Sequence, residues 1–368
     1  MHRAVQRTAV FLLIVSALLG GAESRAAESA PQTGAKAFVL MDAESGRVIA
    51  GKNTEEELAI ASTTKIMTAL VALESGKLSD KVAVKEKHLK EGSSMYLRAG
   101  EVLTLEELLY GLLLPSGNDA AECIADYCGP GVEKFVARMN EKAAALGMTH
   151  TAFRNPSGLD AEGHHSCALD MARLAAHALA QPTFARIAAT ADASTGGRSF
   201  ANHNKLLGTL EGCIGLKTGY TGAAGRTLVT CCERGGLRLI VVTLGDRDDW
   251  ADHRALYEYG FSVCTRQRAA LRGEEYMLAP VRGGEETSVP LAAGESFCYP
   301  VLAGEELSVS ARLNAELTAP LAEGERVGEL IVRLDGEEVG RVPLVCMERI
   351  AAAEVKKSLL GRLFARAG

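Results

Sequence analysis

The spacing of the hydrophobic positions changes twice within residues 37–261. Short apolar runs at 37–40 and 47–50 flank a polar turn, and this pattern predicts two strands. From Ser62 the apolar residues recur at helical spacing, and after Arg198 the spacing of two returns. Because strands from both ends enclose a helical middle, we expect one sheet that is assembled from the two ends and has helices packed on it.

Six helices and three further strands are predicted inside this segment. A capping-box pattern at Thr104 and Glu107 opens the second helix. The helices lie at about 62–76, 105–112, 119–127, 132–146, 168–179 and 250–260. The strands lie at 214–218, 227–232 and 237–244, with a hairpin turn at 233–236. Residues 28–266 are therefore predicted to form one α/β (α+β) domain.

The composition changes from about residue 267, where short alternating runs are broken by Gly-Glu and Asp-Gly turns. This pattern predicts a small all-β domain over 267–346. Residues 347–368 then combine an apolar stripe with a basic opposite side, which is typical of a helix lying in a membrane surface. The stripe consists of Val355, Leu359, Leu360, Leu363 and Phe364. A terminal helix that docks on its own domain is the open alternative.

Residues 1–27 have the pattern of a secretory signal peptide. Arg3 and Arg7 precede an apolar run at 9–19, which is followed by small residues. The run is shorter than the roughly 20 apolar residues that a spanning helix needs. We therefore expect an exported protein, held peripherally on the outer face of the cytoplasmic membrane by its C-terminal helix.

Composition excludes some functions. The formal charge of −6 over 368 residues gives no support for nucleic-acid binding, which usually needs a basic face. Nine cysteines without regular spacing favour buried free thiols over a disulfide framework or a zinc site. His164 and His165 are adjacent, and such neighbours seldom face one metal together. We expect neither a metal nor a cofactor.

Three short motifs carry the candidate chemistry. In chain order they are Ser62-Thr-Thr-Lys65, Ser116-Gly-Asn118 and Lys217-Thr-Gly219. Each motif alone is weak evidence, because a chain of this length contains such triplets by chance. Their order and placement add weight: the first begins a predicted helix, the second lies between two helices, and the third lies on a strand beside a hairpin. Together they predict a serine acyl-transferase.

Ser62 and Lys65 are the predicted nucleophile and proton acceptor. They lie one helical turn apart, so the amine is on the same face as the hydroxyl. At the usual pKa of about 10.4 the amine would be protonated and could not act as a base. Burial and a second cation, Lys217, would both favour its neutral form. This arrangement is a Ser-Lys variant of the catalytic triad and needs no histidine.

The remaining motif residues suit substrate binding and proton transfer. Ser116 could relay a proton to the departing amine, and Asn118 could bind a substrate amide and help place the lysine. Lys217 and Thr218 offer a cation and a hydroxyl to a terminal carboxylate, while Gly219 lets a substrate backbone lie along the strand. The backbone amides of Ser62 and Tyr220 are the natural oxyanion hole.

The motifs in their context resemble the low-molecular-mass penicillin-binding proteins of the D-Ala-D-Ala carboxypeptidase family. The resemblance covers about 36–261 and is strongest at 61–70, 108–121 and 215–221. It implies a β-lactamase-like transpeptidase domain, with an antiparallel sheet and a helical subdomain, followed by a small all-β domain. It also implies removal of the terminal D-alanine from peptidoglycan stem peptides through an acyl-Ser62 intermediate that β-lactam antibiotics mimic.

One position departs from that family. Some members carry an arginine at the position that matches His203, where it helps to hold the substrate carboxylate. His203 could take this role when protonated or as a neutral donor, and it could equally be a solvent-facing histidine at a strand edge.

Three other functions share parts of this pattern. A β-lactamase has the same motifs but needs a glutamate beside a bound water, and no such segment is evident between Ser116 and Lys217. A D,D-endopeptidase would apply the same chemistry to a larger leaving group. A catalytically inactive cell-wall binding protein is disfavoured because all the motif residues are intact.

Overall fold

The computed structural model describes residues 29–354, which form two compact units, 29–264 and 265–354. Along the sequence, the division between the units falls two residues before the domain boundary that was predicted at 266/267. The predicted signal peptide and the end of the predicted C-terminal helix lie outside the described residues. Within 29–354, no helix is both long enough and apolar enough to cross a bilayer.

The first unit mixes helices and strands, as the hydrophobic spacing predicts. Its helices are α1 (Lys65–Leu73), α2 (Leu105–Leu113), α3 (Asn118–Cys128), α4 (Val132–Ala145), α5 (Ala168–Leu179), α6 (Pro182–Ala188) and α7 (Asp249–Val263). Its strands are β1 (Ala37–Asp42), β2 (Val48–Lys52), β3 (Lys81–Ala83), β4 (Val102–Thr104), β5 (Asp192–Thr195), β6 (Arg198–Ala201), β7 (Cys213–Thr221), β8 (Gly225–Arg234) and β9 (Leu237–Asp246).

The main sheet joins the two ends of the first unit, which confirms the prediction. Its five strands run β2-β1-β9-β8-β7, and every neighbouring pair is antiparallel. β1 is buried along its whole length because both faces of the sheet are covered. Val39 and Met41 join the main core, whereas Leu40 lies against Gly260 of α7.

Helix α1 lies at the centre of the core. All of its residues from Lys65 to Ala72 are buried, and apolar residues of α2, α3 and α5 belong to the same cluster. A helix that is buried all round needs apolar side chains on every face, and Lys65 is the single charged residue in this one. Because α1 lies at the centre of the core, the amine of Lys65 lies in the protein interior.

Three local features differ from the sequence expectations. Residues 61–64 form a 3-10 turn that precedes α1, because the hydroxyls of Thr63 and Thr64 bond back to the carbonyls of Ile60 and Ala61. α6 was not predicted, since its seven residues are too short to show a helical period. The antiparallel pairs β3–β4 and β5–β6 were also missed, because strands of three or four residues are too short to show an alternating pattern. The capping box of α2 is confirmed, with Thr104 and Glu107 bonded reciprocally.

The second unit is all β. Its strands are β10 (Cys264–Ala270), β11 (Glu275–Arg282), β12 (Ser288–Ala293), β13 (Phe297–Leu302), β14 (Leu307–Leu313), β15 (Leu317–Thr318), β16 (Arg326–Leu334) and β17 (Glu337–Cys346). Six of them form a sheet in the order β14-β16-β17-β12-β11-β15, and β10 pairs with β13.

The predicted C-terminal helix does not begin at Met347. Residues 347–354 contain no helix and close onto the β unit, where Ile350 bridges Leu321 and Ala352 bridges Gly284. Ile350 is buried in the core of that unit, so its apolar side chain is used there rather than on a membrane-facing stripe. The expected stripe from Val355 onward lies outside the described residues.

Candidate active site

The amine of Lys65 lies among three oxygen atoms. Its Nζ is 2.8 Å from Ser62 Oγ, 2.8 Å from Asn118 Oδ1 and 2.6 Å from the carbonyl oxygen of Ser157. A neutral amine has two N–H groups and one lone pair. The two N–H groups can therefore satisfy Asn118 and Ser157, which leaves the lone pair to accept the hydroxyl proton of Ser62.

Burial favours the neutral form of the Lys65 amine over its charged form. The side chain of Lys65 has no exposed surface, and this burial lowers its pKa well below the usual value. The charge of Lys217 lowers the pKa further, and the carboxylate of Asp119 opposes both effects. The sequence predicted the first two causes, but it did not identify Asp119.

Asn118 and Asp119 connect the start of α3 to the segment at 91–97. The Asn118 amide group donates to the carbonyl of Glu91, and its backbone N–H donates to the carbonyl of Ser93. The Asp119 carboxylate accepts bonds from one hydroxyl and two backbone amides of residues 94–97. Asn118 is thus held in place to accept a hydrogen bond from Lys65.

Ser116 precedes α3 in a strained and buried position. Its φ of 66° lies in the left-handed region, which is costly for a residue with a side chain. Its Oγ is buried and has no hydrogen-bond partner among residues 29–354. An unsatisfied buried hydroxyl costs about 1–3 kcal/mol, so the surrounding structure must hold Ser116 in this position.

The Lys217-Thr-Gly219 motif lies on β7, the last strand of the main sheet. Burial lowers the pKa of Lys217 to about 7, and its Nζ donates to the carbonyl of Thr218 at 2.9 Å. A Cβ atom at Gly219 would lie 2.9 Å from the backbone nitrogen of Ser62 and 2.4 Å from Thr227 Oγ1. Only glycine therefore lets β7 approach the turn that carries the serine.

Tyr220 and His203 are exposed near this strand. Tyr220 follows Gly219, and its side chain is 72% exposed. The backbone N–H of His203 donates to Leu114, beside the Ser116 motif. Partial burial of the imidazole and the charge of Lys217 lower the pKa of His203, so its imidazole is neutral at neutral pH.

The segment at 155–158 was not identified as functional from the sequence. Asn155 Oδ1 accepts bonds from the backbone amides of Ser157 and Gly158, which fixes the carbonyl of Ser157 opposite Lys65. A Cβ at Gly158 would lie 1.9 Å from the carbonyl oxygen of Ala61, so glycine is required for this contact. Because a backbone carbonyl makes the contact with Lys65, residue type alone did not predict it.

His164 fastens the same segment to the nucleophile turn. Its Nδ1 accepts the backbone N–H of Arg154 at 3.1 Å, so the neutral ring carries its proton on Nε2. That Nε2 lies 2.9 Å from Thr64 Oγ1, which in turn donates to Ala61. Burial and the charges of His165 and Arg154 lower the pKa of His164 to about 4.

Residues 29–354 contain no group of three or more His, Cys, Asp or Glu side chains placed to hold a metal ion.

Two family models together match most of the chain. The model of the D-alanyl-D-alanine carboxypeptidase family matches residues 24–248, and that of the C-terminal domain of penicillin-binding protein 5 matches 268–352. Among curated relatives, D-alanyl-D-alanine carboxypeptidase DacF of Bacillus subtilis (strain 168) is 32% identical over 336 residues, covering 87% of this chain and 86% of its own. DacC of Escherichia coli (strain K12) is 33% identical over 352 residues, covering 87% and 85%.

Solved structures give a similar result. Penicillin-binding protein 5 from Haemophilus influenzae superposes with a TM-score of 0.76 at 29% identity, covering 88% of this chain and 99% of that one. Penicillin-binding protein 6B from Escherichia coli gives a TM-score of 0.69 at 27% identity, covering 87% and 98%. Both matches extend over the two units of the chain.

Replacing Lys65 by arginine tests the neutral amine. We expect Lys65→Arg to slow acylation by a fluorescent penicillin by at least about 100-fold, because a guanidinium cannot give up its proton. Lys134→Arg, the same change on an exposed face of α4, should leave the rate unchanged. Acylation of Lys65→Arg at the wild-type rate would mean that another group is the base.

Replacing His164 tests its structural role. We expect His164→Ala to lower the free energy of unfolding by about 1–3 kcal/mol and to slow acylation, because two buried hydrogen bonds are lost. His165→Ala, beside it, should change neither quantity by a comparable amount. A His164→Ala protein that matches the His165→Ala protein in both would contradict this role.

The lowered pKa of His164 also predicts how the stability of the protein changes with pH. The folded-state pKa of His164, about 4, lies below the unfolded value of about 6.5, so the folded protein excludes the proton. Its contribution to stability is therefore full above pH 6.5 and falls as the pH approaches 4. Chemical denaturation across this range should show a smaller loss of stability in His164→Ala than in the wild type.

Proposed function

Because the chain belongs to the D-alanyl-D-alanine carboxypeptidase family, we propose that it removes the terminal D-alanine of peptidoglycan pentapeptides through an ester on Ser62. It is a serine-type carboxypeptidase of the penicillin-binding protein class that acts in cell-wall biogenesis. The observation that carries the catalytic assignment is the buried Lys65 amine, 2.8 Å from Ser62 Oγ and with a lowered pKa.

Acylation begins with proton transfer from Ser62 to Lys65. The freed Oγ attacks the carbonyl carbon of the penultimate D-alanine, and the backbone amides of Ser62 and Tyr220 stabilise the resulting oxyanion. The approach of Gly219 to the Ser62 backbone nitrogen supports this arrangement, because it brings β7 beside the amide of the nucleophile.

Collapse of the intermediate requires a proton on the departing D-alanine amine. Lys65 holds the proton taken from the serine, and Ser116 is proposed to relay it. The open hydrogen-bonding capacity of Ser116 Oγ supports this role, since the hydroxyl has no competing partner among the described residues. Water then attacks the ester, with Lys65 again as the base, and releases the shortened peptide.

The terminal carboxylate of the substrate is proposed to bind Lys217 and Thr218, with His203 as a neutral donor. Burial disfavours the charged form of Lys217 and lowers its pKa to about 7. A carboxylate at this position would favour the protonated amine and raise that pKa. Substrate binding and proton uptake by Lys217 are thus coupled.

The products of a pentapeptide muropeptide test the proposed function. We expect the wild-type protein to release one alanine and leave the tetrapeptide, and Ser62→Ala to release none because the nucleophile is absent. Ser194→Ala, the same change on an exposed hairpin, should retain full activity. Cleavage of cross-linked dimers in preference to pentapeptide would assign an endopeptidase, and an active Ser62→Ala protein would exclude the acyl-Ser62 mechanism.

The lifetime of the penicillin adduct distinguishes a carboxypeptidase from a β-lactamase. Both carboxylate oxygens of Asp119, the acid that influences Lys65, already accept hydrogen bonds and are not free to activate water. The opened penicillin stays tethered and blocks the approach of water, whereas D-alanine diffuses away. General-base assistance is worth about 100- to 10,000-fold, so its loss should extend hydrolysis from milliseconds to roughly seconds or longer. Intact mass after quenching should show a persistent adduct, and rapid multiple turnover would contradict this proposal.

The enzyme acts on the cell wall outside the cytoplasm, and its attachment is a separate proposal. We propose that residues 1–27 direct export and that the segment after Glu354 binds the outer face of the cytoplasmic membrane. The apolar stripe and basic residues of that segment supply the two signals that interfacial binding uses, apolar burial and attraction to anionic lipid.

Truncation tests the attachment. We expect a protein ending at Glu354 to lose binding to anionic vesicles while it keeps full carboxypeptidase activity. The cut belongs at this residue rather than before Met347, because Ile350 is part of the β core. Co-sedimentation of the truncated protein with the vesicles would show that the terminal segment is not the anchor.

A further inference from the structure

Two cysteines face each other across the strands that lead to the active site. Cys213 of β7 is paired in register with Cys232 of β8. The flanking bond runs from the Glu233 N–H to the carbonyl of Gly212, and the N–H of Cys213 donates to Leu210 instead of Cys232. The cysteines therefore occupy a non-hydrogen-bonded position, where opposite Cα atoms are about 4.5 Å apart. This separation lies within the range that a disulfide can bridge.

The side chains also meet. The two side chains are close enough for each thiol to shift the pKa of the other, and Cys213 Sγ also donates to the carbonyl oxygen of Gly215 at 3.7 Å. Side chains alternate along a strand, so the neighbouring Cys231 points to the opposite face, where it joins the main core. Cys232 instead contacts Tyr257 of α7. Only one cysteine of the adjacent pair is thus directed at Cys213.

The surroundings of Cys213 favour reaction at this sulfur. Cys213 is half-buried, whereas Cys232 is fully buried, so an external reagent reaches Cys213 first. Asn204 is 2% exposed, and its amide nitrogen has no hydrogen-bond partner among residues 29–354. The neighbouring Cys232 thiol is the main cause that lowers the pKa of Cys213, and the Gly215 backbone and the Asn204 side chain lower it further. A thiolate is the nucleophile in disulfide exchange.

We propose that Cys213 and Cys232 are a redox-active pair that an external disulfide, such as oxidised glutathione, converts to a cross-strand disulfide. The thiolate of Cys213 attacks one sulfur of the external disulfide and expels the first thiolate. The sulfur of Cys232 then attacks the Cys213 sulfur of the mixed disulfide, and its proton leaves with the second thiol. Two protein thiols are oxidised, and one external disulfide is reduced to two thiols.

The cross-link would fasten the start of the strand that carries Lys217 and Gly219. It closes a loop of about 20 residues, which restricts the unfolded chain and stabilises the folded one. Neither cysteine belongs to the catalytic machinery proposed above, so the inference is independent of the enzymatic function. The oxidised protein should be more resistant to heat and should retain its acylation rate.

Peptide mapping of the full chain tests the pair. The reduced protein is incubated with oxidised glutathione under native conditions, and its free thiols are then alkylated as the protein is unfolded, before digestion with trypsin. We expect the peptides 206–217 and 227–234 to be joined, with a thermal midpoint several degrees above that of the reduced protein. Dithiothreitol should reverse both changes.

Three single variants identify the sulfur atoms. Cys231→Ser should still form the link, whereas Cys213→Ser and Cys232→Ser should lose both the link and the rise in midpoint. A link that survives in Cys232→Ser, a bond between Cys231 and Cys232 in the wild type, or two alkylated thiols at 213 and 232 after oxidation would each overturn the proposal.

Discussion

The active site depends on the placement of one amine in the protein interior. A charged lysine without a carboxylate partner costs several kcal/mol to bury, and the neutral form largely avoids this cost. The central, fully buried helix α1 takes Lys65 out of water, while Ser62, Asn118 and Ser157 supply three oxygen atoms that match a neutral amine. The protein thus uses the physics of core packing to make a base from a group that is an acid in water.

Close backbone approaches allow the surrounding segments to meet at this amine. Gly158 lets the 155–158 segment lie against the nucleophile turn, and Gly219 does the same for β7. Ser116 adopts a positive φ at the start of α3 with its hydroxyl unpaired. Strain and unpaired polar atoms are costly, and a well-packed core can hold them in place. Their concentration around Lys65 is consistent with a site formed before the substrate arrives.

The sequence predicted the features that depend on local pattern. The sheet built from both ends of the first unit, the capping box at Thr104 and the spacing of Ser62 and Lys65 all follow from periodicity and residue type. The roles of Ser157, Asp119 and His164 could not be predicted, because a backbone carbonyl and contacts between distant segments leave no mark in the order of residues. The terminal helix was predicted to begin at Met347, whereas the structure pairs Ile350 and Ala352 with the β unit and buries Ile350 in its core.

The ionisation state of Lys65 tests this account most directly. In protein labelled with isotope-enriched lysine, NMR can follow the Nζ and Cε signals of each side chain with pH, and Lys65→Arg identifies the signal to be assigned. We expect Lys65 to titrate well below the usual lysine value of about 10.4. Titration at or above that value would mean that the amine stays protonated at neutral pH, which would contradict its role as the base for Ser62.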